Sequence, residues 1–309
     1  MPKYNLADAN ELLALPEIER QFIASIVDSG ITPPEHLIAD GKIHRFPTNG
    51  RPSDDAGWYV LYADGFPAGA FGDWRTSTKE TWRADVGRSL SDAERQHLVQ
   101  REQAIQQVRE IDRDTRWKQA RDRAEEIWAK AEIVPLDHPY LERKSVRAYG
   151  LKADSSRLVV PLRIGQTLHS LQFIYATGDK RFLTGGRKKG CYHLIGEPGE
   201  VLCVAEGYAT AASIHEATGH AVAVAFDAGN LQPVGIELTN RYPGTQLLFC
   251  ADDDQATEGN PGLSKAKKAA EATGGLVAVP SFPPGTPGTD FNDLHQTCGA
   301  DAVRDAIDT

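Results

Sequence analysis

Residues 201–210 read VLCVAEGYAT and residues 246–254 read QLLFCADDD. Each is an unbroken apolar run that ends abruptly in acid. Apolar runs without alternation suit strands buried on both faces, the condition of a parallel sheet covered by helices. Working outward, AVAVAF (221–226) repeats the strand texture, Tyr208 to Thr218 and Ser264 to Thr273 have helical spacing, and LVAVP (276–280) supplies a fourth strand. Apolar strands alternating with helices in units of ~25 to 40 residues predict a parallel α/β fold for the last third of the chain.

In open parallel sheets the functional loops lie at the carboxyl ends of the strands. There the sequence delivers Glu206-Gly207, then Asp252-Asp253-Asp254, then Asp290 and Asp293 in GTDFNDLH. Carboxylates from separate strands repel at close quarters unless a cation neutralises them, so a divalent metal is the economical explanation. Oxygen ligands with no Cys or His nearby favour Mg²⁺, or Mn²⁺ in its place, over zinc. A strand-end Asp also often caps the next helix, and Asp252 to Asp254 could be a solvated loop. Three clusters at one inferred edge weigh against that blander reading. Gly207, directly after a strand-end acid, allows close backbone approach by phosphate or metal.

The 309 residues are 40% hydrophobic and carry a net charge of -9, but the charge is uneven. Residues 139–190 hold 11 Lys+Arg against 3 Asp+Glu, whereas residues 191–309 hold 5 against 16 and residues 1–138 hold 18 against 24. A basic band before an acidic third can hold a polyanion on one side and metal ions on the other, the alternative being solvated faces alone. The basic band reads as a β meander: RLVVPLRI (157–164), TLHSLQFIYA (167–176) and KRFLTGGRKKGCYHLIG (180–196), punctuated by turns. Gly185, Gly186 and Gly190 are read as letting its last segment approach phosphate.

Upstream, Leu12, Leu13, Leu15, Ile18, Phe22, Ile23 and Ile26 recur at near-helical spacing. Residues 36–82 turn to strands, with a hairpin signal at Asp64-Gly65. Trp58, Tyr59, Phe71 and Trp74 are read as that unit's own core, with stacking on unpaired bases as the alternative. Ser91 and Glu94 form a capping-box signature, and residues 91–131 contain no Gly or Pro. That predicts one long helix or two, serving as a connecting arm, with a coiled-coil seam as the rival. Four widely spaced cysteines exclude a zinc ribbon and a disulfide framework, and Cys203 and Cys250 read as core. No apolar run is long enough to cross a membrane, and the acidic, interrupted N-terminus does not read as a signal peptide, so a cytoplasmic protein is expected.

EGYAT after one apolar strand, ADDD after a second and the downstream TDFND together resemble the Toprim domain shared by bacterial-type primases, topoisomerases and some nucleases, over about residues 198–309. PYLERKSV, RLVVPLR, SLQFI and KRFLTGGRKKG extend the resemblance, back to about Pro139, to plasmid and phage primases of the conjugative-transfer type. GWYVLYADG and FGDWR are similar to the N-terminal part of such mobile-element proteins. The resemblance implies a Toprim-type parallel sheet with flanking helices (196–309), preceded by a basic β-rich subdomain (139–195), a helical arm (87–138) and a small α+β unit (1–86). It implies Glu206 as the strand-end catalytic acid, Asp252 and Asp254 as the metal-binding pair, and Asp290 and Asp293 as a later acidic site. Lys180, Arg181, Arg187, Lys188 and Lys189 then match a basic strip facing the metal, with Gly207 beside it. Thr210 departs from the pattern, which commonly has another acid there. The implied activity is primer synthesis on a single-stranded DNA template from nucleoside triphosphates, with Mg²⁺ or Mn²⁺, no zinc, and a replicative helicase as partner. A Toprim nuclease and a non-catalytic single-strand-binding accessory are the competing readings.

Overall fold

The computed structural model describes residues 13–52, 54–76, 78–253, 257 and 259–308. Its contacts divide the chain into two compact units, Met1–Thr115 and Arg116–Thr309, so that the division falls inside a helix. In the first unit, helix α1 (Leu15–Asp28) buries Ile18, Phe22 and Ile26, four residues apart and hence on one stripe. That stripe packs with Phe46, Tyr59, Leu61 and Phe71 of an antiparallel sheet. The sheet comprises β1 (His44–Phe46), β2 (Gly57–Tyr62), β3 (Ala68–Asp73) and β4 (Thr78–Arg83), in that order.

Side chains alternate across β2 and β3, so Trp58, Val60 and Ala70 meet Ile105 and Val108 of helix α2 (Asp92–Lys130) instead. Trp58, Tyr59 and Phe71 are at most 2% exposed, which makes them core and corrects the base-stacking alternative for these three. Trp74 lies beside Trp58, their ring centres 5.7 Å apart. The capping box is formed: the Ser91 amide donates to Glu94 (2.8 Å) and the Glu94 amide to Ser91 Oγ (3.3 Å). Leu12 lies outside the described residues.

The second unit opens on the remainder of α2, whose Ala124, with Ala131 just past the helix end, packs on an antiparallel sheet. Both parts of α2 thus spend apolar side chains within their own unit. After α3 (Pro139–Lys144), the strands β5 (Lys152–Asp154), β6 (Arg157–Ile164), β7 (Thr167–Tyr175) and β8 (Lys180–Phe182) follow one another across the sheet. The predicted third segment of the meander is only partly a strand. It stops at Phe182, and β9 (His193–Ile195) leaves for a second sheet.

That second sheet holds β10 (Val201–Ala205), β11 (Ala221–Val224), β12 (Gln246–Cys250) and β13 (Leu276–Ala278), with α4 (Tyr208–Thr218), α5 (Leu231–Arg241), α6 (Pro261–Thr273) and α7 (Phe291–Asp308). Its order is β13-β12-β10-β11-β9, parallel except that β9 runs antiparallel to β11. Cys203 and Ala205 of β10 face the cluster containing α4 and α7, while Leu202 and Val204 face α5 and α6. Burial on both faces is why these strands read as continuous apolar runs. Cys203 and Cys250 are fully buried, as expected. Among the described residues, no helix is long and apolar enough to cross a membrane.

Candidate active site and basic surfaces

The chain leaves β10 for β11 on one side and returns to β12 on the other, so β10 is the topological switch point, where open α/β sheets place their ligands. Ala205 pairs with Val224 of β11 and Cys250 of β12, which aligns three strand ends. Glu206 follows one of these ends and Asp252 another, both half-buried. Lys180, the first residue of β8, brings its ammonium to the same place. Crowding by the protein lowers its pKa, and Asp290, Asp252 and Glu206 oppose that effect electrostatically, with Lys144 adding to it. The residue as a whole is exposed, so the acids act on it without shutting it off from solvent.

Asp290 and Asp293 build the start of α7. Asp290 Oδ1 accepts from the Asp293 amide (2.8 Å), and Asp293 Oδ2 accepts from the Thr289 amide (3.1 Å), a reciprocal cap. Thr210, 3% exposed on α4, donates its hydroxyl to Asp290 Oδ2 at 3.2 Å. The position where the resemblance expects an acid therefore holds a neutral donor that steadies one. Lys144 Nζ lies 4.0 Å from Asp293. Asp254 lies outside the described residues. Among the described residues, no three metal-capable side chains form a tight cluster. The donor set, Glu206, Asp252 and Asp290, is nevertheless all carboxylate oxygen, the ligand type of a hard divalent cation.

Gly207 precedes α4 with an extended backbone (φ -111), open to any residue. A Cβ there would stand 3.6 Å from Lys180 Nζ, ordinary contact, so the fold itself does not demand glycine. Gly186 is different, since a Cβ would come within 2.0 Å of Ser170 Oγ. Its glycine is required by the chain's own packing, which explains it without any ligand.

The structure divides the basic strip between several surroundings. Along β8, Lys180 faces the acids and Arg181 lies over the Tyr175 ring at 5.5 Å. Phe182 meets Phe226 edge to face (6.1 Å), and Lys188 Nζ lies 5.3 Å above the Phe182 ring while pairing with Asp227. Arg187 lies over Trp117 at 5.2 Å, and Lys189 lines the same pocket. Arg181, Arg187 and Lys189 thus have surroundings of their own, apart from those of Lys180 and Lys188.

Asn230, 2% exposed, holds the loop in this arrangement. Its Oδ1 accepts from the Gly190 amide (2.8 Å), and its Nδ2 donates to the carbonyls of Lys188 (3.2 Å), Cys191 (3.0 Å) and Ala225 (2.8 Å). Phe226, four residues earlier, is left-handed (φ 74), a costly conformation for an aromatic residue, and the next residue, Asp227, pairs with Lys188. Sequence reasoning missed Thr210 as a support, and Asp227 and Asn230 altogether. The signal was available: FDAGN (226–230) follows the AVAVAF strand at the edge already searched for acids.

Residues 201–301 match the Toprim domain model, and the chain contains a Toprim domain. Toprim domains generally bind a divalent metal. Over most of its length the chain is similar to two proteins of Escherichia coli, each named DNA primase TraC. One is 36% identical over 287 residues, 86% of this chain and 27% of that protein; the other is 35% identical over 272 residues, 81% and 18% respectively. The chain spans about a quarter or less of the length of these curated relatives. Among solved structures, the Aquifex aeolicus primase (zinc-binding and RNA polymerase domains) superimposes with a TM-score of 0.43 at 14% identity, over 95% of this chain and 84% of that one.

Proposed function

We propose that this chain carries the primer-synthesising centre of a DNA primase of the plasmid or phage type, a nucleotidyltransferase acting on single-stranded DNA with nucleoside triphosphates. The observation that carries the reading is the convergence of Glu206, Asp252 and Asp290 on the Lys180 ammonium at the switch point of a Toprim sheet. In this reading Glu206, Asp252 and Asp254 hold Mg²⁺ or Mn²⁺. When bound, the metal offsets charge on the attacking 3′-hydroxyl, the α-phosphate and the leaving pyrophosphate. The side chains do the rest. Lys180 holds a phosphate oxygen near the carboxylates, and Lys188, aimed by Asp227 and the Asn230 clamp, holds another. Asp290, fixed by its cap and by Thr210, supplies negative charge from the second rank, and Asp293 keeps that cap in place. Gly207 leaves room for the phosphate chain between α4 and Lys180. A replicative helicase as partner and action in the cytoplasm accompany the reading.

The test is incorporation of labelled nucleotide on a single-stranded template with Mg²⁺ or Mn²⁺. Primer-length products that vanish in Glu206→Gln and Asp252→Asn are expected. Loss of the template strand without incorporation would replace the reading by a nuclease, and retention without either by an accessory protein.

A further inference from the structure

Arg187 and Lys189 line a pocket of about 560 Å³. Trp117 of α2, Gly190, Gln232 and Glu237 also line it. Its parts fit one kind of ligand. Trp117 offers a flat aromatic surface, half-buried and already capped by a guanidinium 5.2 Å from its ring centre. Arg187 and Lys189 bring two positive charges within one turn of chain. Gln232 is exposed at the start of α5, with a donor and an acceptor suited to a base edge. The one acid, Glu237, is already bonded to Arg241 (2.9 Å), which offsets its repulsion of an anion. Positive charge extends beyond the pocket, since Arg121 and Arg187 both act on His169, whose pKa falls mainly through burial. Arg123 donates to the Thr184 carbonyl (2.8 Å), adding a cation beside the loop.

We propose that Trp117, Arg187, Lys189 and Gln232 form a subsite for one nucleotide of single-stranded nucleic acid, in a pocket that Lys188 does not line. Arg187 exchanges the Trp117 ring for a backbone phosphate, and an unpaired base takes its place on the ring. Lys189 holds the neighbouring phosphate, and the Asn230 clamp fixes the loop that carries both cations. The proposal deepens the primase reading and rests on it for the strand's identity. Its chemistry separates it from the acid site: the pocket selects for unpaired bases, because a paired base presents no free face.

The test is fluorescence anisotropy of the full chain with a labelled oligothymidine and with a duplex of equal length, across a salt series. Trp117→Ala should weaken single-strand binding about tenfold, or about 1.4 kcal/mol at 25 °C, with duplex binding and salt slope unchanged, because stacking is uncharged. Trp117→Phe should recover most of the loss. Arg187→Ala with Lys189→Ala should instead make the slope of log affinity against log salt shallower by about 1.4, at ~0.7 per phosphate on a single strand. Melting curves of each variant separate lost contact from lost fold. Unchanged single-strand affinity in Trp117→Ala, beside a wild type that binds and extends primers, overturns the subsite and leaves the primase reading standing. A wild type that neither binds single strands nor incorporates nucleotide overturns both.

Discussion

His193 is buried in β9 at 4% exposure, and its Nε2 donates to the Tyr149 carbonyl at 2.8 Å. Burial pushes its pKa down to about 4, against the favourable pull of the Tyr149 carbonyl and with help from nearby Arg163. The ring is therefore neutral in the native chain throughout the mildly acidic range. An unfolded chain takes up a proton on the same ring near pH 6.5. Above that value both states are neutral and the stability is fully present. As pH falls from 6.5 towards 4, the unfolded state gains a proton that the native state refuses, so stability is lost. The limiting slope is about 1.4 kcal/mol per pH unit, and integration to pH 5 gives a loss of about 2 kcal/mol from this residue. His193→Gln keeps an amide donor for Tyr149 and cannot titrate. Urea unfolding of both proteins at pH 7, 6 and 5 isolates the term by difference, whatever the variant loses at pH 7. The wild type should lose about 2 kcal/mol more than the variant between pH 7 and pH 5. Parallel losses would refute the argument and place the acid sensitivity among the carboxylates.

Three further outcomes follow from the geometry. Glu206→Gln and Asp252→Asn should hold or raise the melting temperature without metal, by relieving repulsion, and should lose the Mg²⁺-dependent stabilisation of the wild type, about 2.7 kcal/mol at 100 times Kd; calorimetry with and without the ion decides. Asn230→Ala strands the Gly190 amide and the Cys191 carbonyl, at a cost of about 2 kcal/mol or more in urea unfolding, with faster amide exchange at Gly190. Gly186→Ala, with a Cβ 2.0 Å from Ser170 Oγ, should lower stability by about 1–3 kcal/mol, whereas Gly207→Ala should leave the melting temperature nearly unchanged and reduce primer synthesis.

The Toprim half was legible because its strands are covered on both faces, and such burial writes itself as uninterrupted apolar runs. Helix α4 was read as Tyr208–Thr218 from its helical spacing, and its residues from Tyr208 to Ile214 are buried throughout. Helix α5 was not, since LQPVGIELTNR carries a proline and a glycine. The proline sits in the first turn, where no amide is needed, and Gly235 makes room for the Phe249 ring, 2.7 Å from where its Cβ would be. Helix α7 hides behind Gly299, whose φ of 85 breaks the helical rhythm. Segment 193–195 looked like the end of a hairpin because strand pairing across ~30 residues leaves no local trace. The candidate acids were found by asking what each strand end carries. Their basic counterparts were named through the resemblance as one strip, but not sorted by surroundings, since spacing in a loop does not tell where each cation points.

The clamp on the basic loop bears on how this chain becomes competent during synthesis. Asn230 lies 40 residues after Gly190 and 39 after Cys191, so the loop's shape is supplied from downstream rather than by its own hairpin. A nascent chain that has emerged only as far as residue 195 already contains all eleven cations of the 139–190 band, but neither Asp227, which pairs with Lys188, nor Asn230, which holds the Lys188–Cys191 loop. Until β11 and the start of α5 have docked, the loop that carries Lys188 and Lys189 lacks its clamp, and its charge is free to meet any polyanion. The same holds for an excised 139–195 fragment, which lacks both Asp227 and Asn230 and would bind nucleic acid through a loop that nothing downstream holds in shape.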